Sequence, residues 1–264
     1  MNITIIGGGN MGLTYALSVH TNFKDTNISI LEKDASKIEQ LKKDTPFNVY
    51  SDPSDCIPNA EIIFLAVKPQ YIGEVFTQIK SLIKPSQIAL SIMAGITIQT
   101  MKDGLGLPKI VRAMPNLPAQ VGHGVTGFIA SAEVTNDETT KIQSILSATG
   151  TAIKVPTEES IDAITSLSGS GPAYVFYFMN SMIKKAEEFG FNETEAKDIV
   201  LNTFLGTAKL FESSDTLAQT WIEKVTSKGG TTHAALTSFK ENDLEEKIKK
   251  GVQSAFDRAQ ELGN

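Results

Sequence analysis

The stretch IIGGGNMG at residues 5–12 places Gly7, Gly9 and Gly12 in a G-x-G-x-x-G pattern, directly behind the apolar run Asn2 to Ile6 and ahead of a helical pattern. Few short sequences restrict a fold so tightly. A strand that turns on three glycines into a helix opens a dinucleotide-binding βαβ unit. Gly7 makes the tight turn, Gly9 lets a pyrophosphate approach the backbone, and Gly12 lets helix pack on strand, while the helix N-terminus receives the negative charge. The next strand, ISIL, ends at Glu32, twenty positions beyond Gly12, where a carboxylate can accept hydrogen bonds from the adenosine ribose. A carboxylate there repels a 2′-phosphate and favours NAD over NADP, but Lys33 follows directly and is able to swing across to hold that phosphate. At this level the residues leave NADH and NADPH both open.

From Met1 to about Pro156 short apolar runs alternate with helical patterns: ITII, ISIL, EIIFLAV, IALSI and KIVRA, with helices between them. Such alternation predicts an α/β domain, a Rossmann-type parallel sheet with helices on both faces. Two further short strands near 127–130 and 152–155 extend the sheet around a helix near 137–147. Beyond residue 156 the strand signal ends. The expected organisation is therefore a dinucleotide-binding domain at 1–156 and an all-helical domain at 157–264. In that second part Pro172 opens a helix that Gly190 stops. Asn192 with Glu195 forms a capping box for the next helix. A last helix follows Asn242. The run AYVFYFM in the first of these is apolar nearly all round, more than one helical layer has to bury, and predicts a subunit interface.

With 264 residues, 41% of them hydrophobic, and a net charge of −6, the chain has no electrostatic attraction to nucleic acid or to anionic lipid. No run reaches membrane-spanning length. The single cysteine, Cys56, and the lack of a leader-like N-terminus lead us to expect a cytoplasmic protein, and no Cys/His spacing points to a metal. Other strand ends, AVKPQ (66–70), SIMAGI (91–96) and RAMPNLP (112–118), fall on the sheet edge where open α/β sheets hold ligands.

In the helical part, SKGGTTHAAL (227–236) interrupts helix-forming periodicity. Gly229 and Gly230 permit a sharp turn. Thr231 and Thr232 place hydroxyls beside the start of a helix near Ala234, which reads either as a Thr-capped turn or as an anion site.

Taken in order, IIGGGNMG, LAVKPQ, SIMAGI, RAMPNLPAQVGHGVTG, LSGSGPAY and VTSKGGTTHAAL give the chain a resemblance to the pyrroline-5-carboxylate reductase family over nearly its whole length. The resemblance implies NADPH or NADH as cofactor, a cyclic imine as substrate, and a homodimer or an oligomer of dimers with interlocking helical domains. By motif, Gly7, Gly8, Gly9, Asn10 and Met11, with Gly12, would bind the cofactor, together with Ala66, Val67, Lys68, Ala94, Gly95 and Asn116. Glu32 would lie at the ribose. The loop Ser227 to Thr232 would wrap the substrate. Backbone N–H groups around Gly229, Gly230 and Thr231 would hold its carboxylate, and the Thr232 hydroxyl, the catalytic contact, would bond the ring nitrogen. Lys228 departs from the family's usual proline, which bears on substrate affinity and leaves room for a paralogue acting on another imine. A β-hydroxyacid-type reductase would need a helix lysine as proton donor, and Lys184 and Lys185 lie at the polar end of theirs. A nucleotide-sensing binding protein would have no use for the Gly-Gly-Thr-Thr loop.

Overall fold

The computed structural model describes residues 1–263 and divides into two compact units, Met1–Ser170 joined by the chain from Ala255 onward, and Gly171–Ser254. In the first unit, strands β1 (Asn2–Ile6), β2 (Asn27–Leu31), β3 (Asn48–Tyr50), β4 (Ile62–Leu65), β5 (Ile88–Ser91), β6 (Ile110–Met114), β7 (Gly124–Ala130) and β8 (Gly150–Lys154) form one sheet in the order 3-2-1-4-5-6-7-8. Helices α1 (Asn10–Asn22), α2 (Ala35–Asp44), α3 (Ile72–Ile79), α4 (Ile98–Leu105) and α5 (Asn136–Ser147) connect them.

Strand parity sorts the core. Ile3, Ile5, Ile62, Phe64 and Leu90 turn to one face of the sheet and pack with Tyr15 and Val19 of α1 and Ile145 of α5. Their sequence neighbours Ile63, Leu65 and Ala89 turn to the other face, against Val75 and Ile79 of α3 and Met101 of α4. Alternate residues of one strand thus feed two cores, which is why these strands read as continuous apolar runs. Each large side chain so buried contributes about 1.5–3 kcal/mol.

The first six strands run parallel, as the alternation predicts for the five of them it shows; β7 pairs antiparallel with β6, Val111 opposite Ala130, and β8 then runs parallel to β7. Chain length decides this. The link from Pro115 to His123 is shorter than the dozen or so residues of a parallel crossover, whereas α5 supplies one between β7 and β8. The edge strand β3 is absent from the sequence reading, because NVY is too short to show a period and Asn48 lies exposed.

The strand signal ends at residue 156, but the first unit continues through α6 (Glu158–Ile164) and a π-helical turn at Thr165–Gly169. Arg112 of β6 holds α6 in place. Its guanidinium, 3% exposed, donates from Nη1 to Glu158 Oε1 at 3.0 Å and from Nη2 to Asp162 Oδ1 at 2.7 Å.

The second unit is helical: α7 (Gly171–Glu188), α8 (Glu193–Glu212), α9 (Ala218–Lys224), α10 (Thr231–Glu241) and the first part of α11 (Leu244–Gly263). Gly190 follows α7 at φ +98°, a value that favours glycine. The capping box forms, with Asn192 N–H donating to Glu195 Oε2 and Glu195 N–H to Asn192 Oδ1, both at 3.0 Å. Among the described residues no helix is long and apolar enough to cross a membrane.

Candidate active site

The glycine turn has the geometry its three roles require. Gly7 lies at φ +103°, and a Cβ there would meet the Ala66 carbonyl oxygen at 2.8 Å. At Gly12 a Cβ would collide with the Gly7 carbonyl. Gly9, the N-cap of α1, faces nothing within 4 Å, and no side chain caps the helix start. The backbone N–H groups of this first turn are therefore open to an anion. Asn10 and Met11 belong to the same turn of α1.

Beside the turn runs a cleft of about 370 Å³ lined by Gly7, Gly9, Glu32, Ala66, Val67 and Lys68, in which the ends of β1, β2 and β4 meet. Glu32 is 9% exposed. Its Oε2 accepts from the N–H of Gly8 at 3.0 Å, and its Oε1 accepts from the N–H of Lys33 at 2.9 Å and of Asp34 at 3.1 Å. Four further residues of the cleft, Asp34, Lys37, Tyr71 and Glu74, escaped the sequence reading. The N-cap pattern of Asp34 ahead of a helix was legible; the placement of Tyr71 and Glu74 depends on how α3 returns to the sheet. Lys33 Nζ pairs with Glu74 Oε2 at 3.0 Å and lies 4.6 Å from the Tyr71 ring centre, interactions that raise its pKa, the Glu74 hydrogen bond most of all.

Ala94, Gly95 and Asn116 do not line this cleft. Ala94 and Gly95 occupy the loop after β5. Gly95 lies at φ +74° with the Leu262 carbonyl oxygen 2.5 Å from where a Cβ would stand, so the last turn of α11 packs directly on that loop. Asn116 follows β6 and is 8% exposed. Its side chain is committed within the first unit, donating to Ser168 Oγ at 2.9 Å and accepting from the N–H of Val125 at 2.8 Å.

In the second unit the helix expected near Ala234 begins earlier, at Thr231, with Gly230 as its N-cap. Neither threonine caps it, which removes the Thr-capped turn. Gly229 takes φ +75°, and Gly230 N–H donates to the Ser227 carbonyl at 3.0 Å, closing the turn that Lys228 occupies. Thr231, Thr232 and His233 form the uncapped first turn of α10, with their N–H groups at the positive end of the helix. Lys185 is engaged elsewhere. It pairs with Glu188 at 2.5 Å and lies over the Phe189 ring.

A family model described as pyrroline-5-carboxylate reductase dimerisation matches residues 158–262, and one described as NADP oxidoreductase, coenzyme F420-dependent, matches residues 2–95. Pyrroline-5-carboxylate reductase of Pseudomonas aeruginosa is 32% identical over 98% of this chain and 96% of its own length. That of Aquifex aeolicus is 33% identical over 99% and 97%. Among solved structures, a pyrroline-5-carboxylate reductase from Coxiella burnetii superposes with a TM-score of 0.92 at 33% identity, covering 100% of this chain and 98% of that one. The Plasmodium falciparum pyrroline carboxylate reductase, solved with NADP bound, gives 0.88 at 27% identity, covering 100% and 98%. A glycine turn open to a dinucleotide, a helical unit matched by a dimerisation model and full-length identity above 30% lead to one conclusion: the chain belongs to the pyrroline-5-carboxylate reductase family.

Proposed function

We propose that this chain reduces 1-pyrroline-5-carboxylate to proline with NADPH or NADH as the hydride donor, and that the cofactor and substrate residues expected by motif carry the reaction. The observation behind the assignment is the full-length match to reductases of this name, supported by two uncapped helix starts, one on a glycine turn in each unit.

When bound, the nicotinamide supplies the hydride. The α1 start would receive the pyrophosphate on the N–H groups of Gly9 to Gly12, and Glu32, which already takes the Gly8 N–H, would hold the ribose. Ala66, Val67, Lys68, Ala94, Gly95 and Asn116 would line the rest of the nicotinamide nucleotide. At α10 the N–H groups of Gly229, Gly230 and Thr231 hold the substrate carboxylate, which both the donors and the helix field favour. The Thr232 hydroxyl bonds the ring nitrogen and orients the C=N bond for attack. As the hydride joins the ring carbon, the π electron pair moves onto nitrogen, and the protonated imine becomes the amine without further acid. No covalent nucleophile is needed. Lys228 adds a positive charge beside the carboxylate site.

The protein acts as a homodimer in the cytoplasm. Support for the dimer comes from Phe176 and Tyr177, 60% and 76% exposed on α7, and from an apolar groove of about 570 Å³ lined by Met182, Phe204, Phe211, Trp221 and Ile222. A buried lone cysteine fits a reducing compartment.

The test is steady-state oxidation of NADPH and NADH with 1-pyrroline-5-carboxylate, on wild type and Thr232→Ala. Turnover that falls about 10- to 100-fold in kcat/KM on losing one hydrogen bond near a charged group supports the reading. No turnover by folded wild type overturns the reaction, and full turnover by Thr232→Ala removes the threonine from it.

A further inference from the structure

We infer that this chain prefers NADH over NADPH, because the Glu32 carboxylate reads the ribose 2′-hydroxyl and, together with Asp34, turns a 2′-phosphate away. The inference rests on the reductase reading for its choice of cofactor class and on the geometry at the end of β2 for the preference.

The fit of a nicotinamide dinucleotide to this unit follows from the open N–H groups at Gly9 and the cleft beside them. A 2′-phosphate at the same ribose needs donors or cations that are not already spoken for. Two natural places for it are the start of α2 and the Lys33 ammonium. The first is taken. Asp34 Oδ1 accepts from the N–H of Ser36 at 2.9 Å, from the N–H of Lys37 at 3.1 Å and from Ser36 Oγ at 2.6 Å, so the donors of that helix start hold a carboxylate of the chain itself. Lys33 is turned onto Glu74 and Tyr71, but this exposed pair is worth under about 1 kcal/mol and does not by itself withhold the lysine.

Glu32 decides the matter. Three backbone N–H donors, from Gly8, Lys33 and Asp34, converge on its two oxygens, which fixes the carboxylate in place beside the glycine turn as an acceptor. Such a group accepts from a hydroxyl and repels a phosphate dianion. Around the cleft, Glu32, Asp34 and Glu74 already balance Lys33, Lys37 and Lys68, so no surplus of positive charge waits there for a phosphate.

Calorimetric titration of the full chain with NADH and with NADPH, in the absence of any imine, tests this directly. The expected result is a Kd for NADH about tenfold or more below that for NADPH, one like-charge contact being enough for that ratio. Glu32→Gln keeps the shape and removes the charge; Asp34→Ser keeps a helix cap and does the same. Each narrows the ratio by tightening NADPH binding several-fold. Equal or tighter binding of NADPH by wild type overturns the inference. So does a ratio that neither substitution moves, a selective loss of NADPH binding in Lys33→Ala, or failure to bind either nucleotide. A preference for NADH in a protein that turns over no pyrroline carboxylate leaves the inference standing and removes the reductase reading; turnover with NADPH bound more tightly does the reverse.

Discussion

Cys56 shows how burial alone sets the chemistry of a residue. It is 4% exposed, and removal from water pushes its thiol pKa up to about 11. The reactive form is the thiolate, so in the native protein Cys56 stays unreactive toward an aromatic disulfide reagent at pH 8 and reacts only after denaturation. The sign of the pH effect follows. Because the folded value lies above the unfolded one, the contribution to stability is complete below the ordinary thiol range and is lost as pH rises toward 11. Fast labelling of the native protein at pH 8 would contradict this account. Gly7 and Gly12 carry the opposite kind of constraint. Their role comes from what a side chain would strike, and the sequence already named them because glycine spacing after a strand has so few other uses. Asn116 was named by motif as a cofactor contact, and in the folded chain its side chain also bridges Ser168 and Val125 N–H. Spacing cannot reveal that, since both partners are brought in by other elements.

At the scale of elements, α6 is attached to the sheet by buried charge as well as by the apolar side chains of Ile161 and Ile164. Arg112 is buried beneath Glu158 and Asp162, and Glu158 Oε1 also accepts from the N–H of Ile98 at the start of α4, so one carboxylate ties together β6, α4 and α6. One donor of this arginine, Nε, lies buried with no partner. Breaking such a pair from one side leaves uncompensated carboxylates. Arg112→Ala is expected to destabilise the protein by about 3 kcal/mol, read as a lowered midpoint in denaturant with an unchanged slope. A midpoint within error of wild type would mean that the pair contributes nothing net. The sequence put KIVRA on a strand, where an internal arginine looks out of place. Only the return of α6 across β6 explains it. The helix caps behave differently: Asn192 with Glu195 was legible beforehand, because both partners lie within one turn of chain and no tertiary contact intervenes.

For the whole molecule, the apolar run AYVFYFM predicted a surface that one chain does not cover, and Phe176 and Tyr177 remain exposed. Charging that face with Tyr177→Glu is expected to shift the protein from dimer to monomer in light scattering, with loss of turnover; a variant that stays dimeric would place the interface elsewhere. Five strands of the parallel sheet, the glycine turn, the carboxylate at the end of β2 and four of the five helices of the second unit, all but α9, were readable in the sequence, for a common reason: each is written in neighbours a few positions apart, as a period, a cap or a turn. The reversal of β7 depended on the length of a link, and the short edge strand β3 had no period to show. What the sequence alone left open at Lys33 and Glu32 was likewise a matter of partners. Glu74 and Tyr71 come from one segment and the backbone of Gly8 from another, and only the folded chain brings both to the end of β2, because contacts between distant segments exist only after the core has placed them.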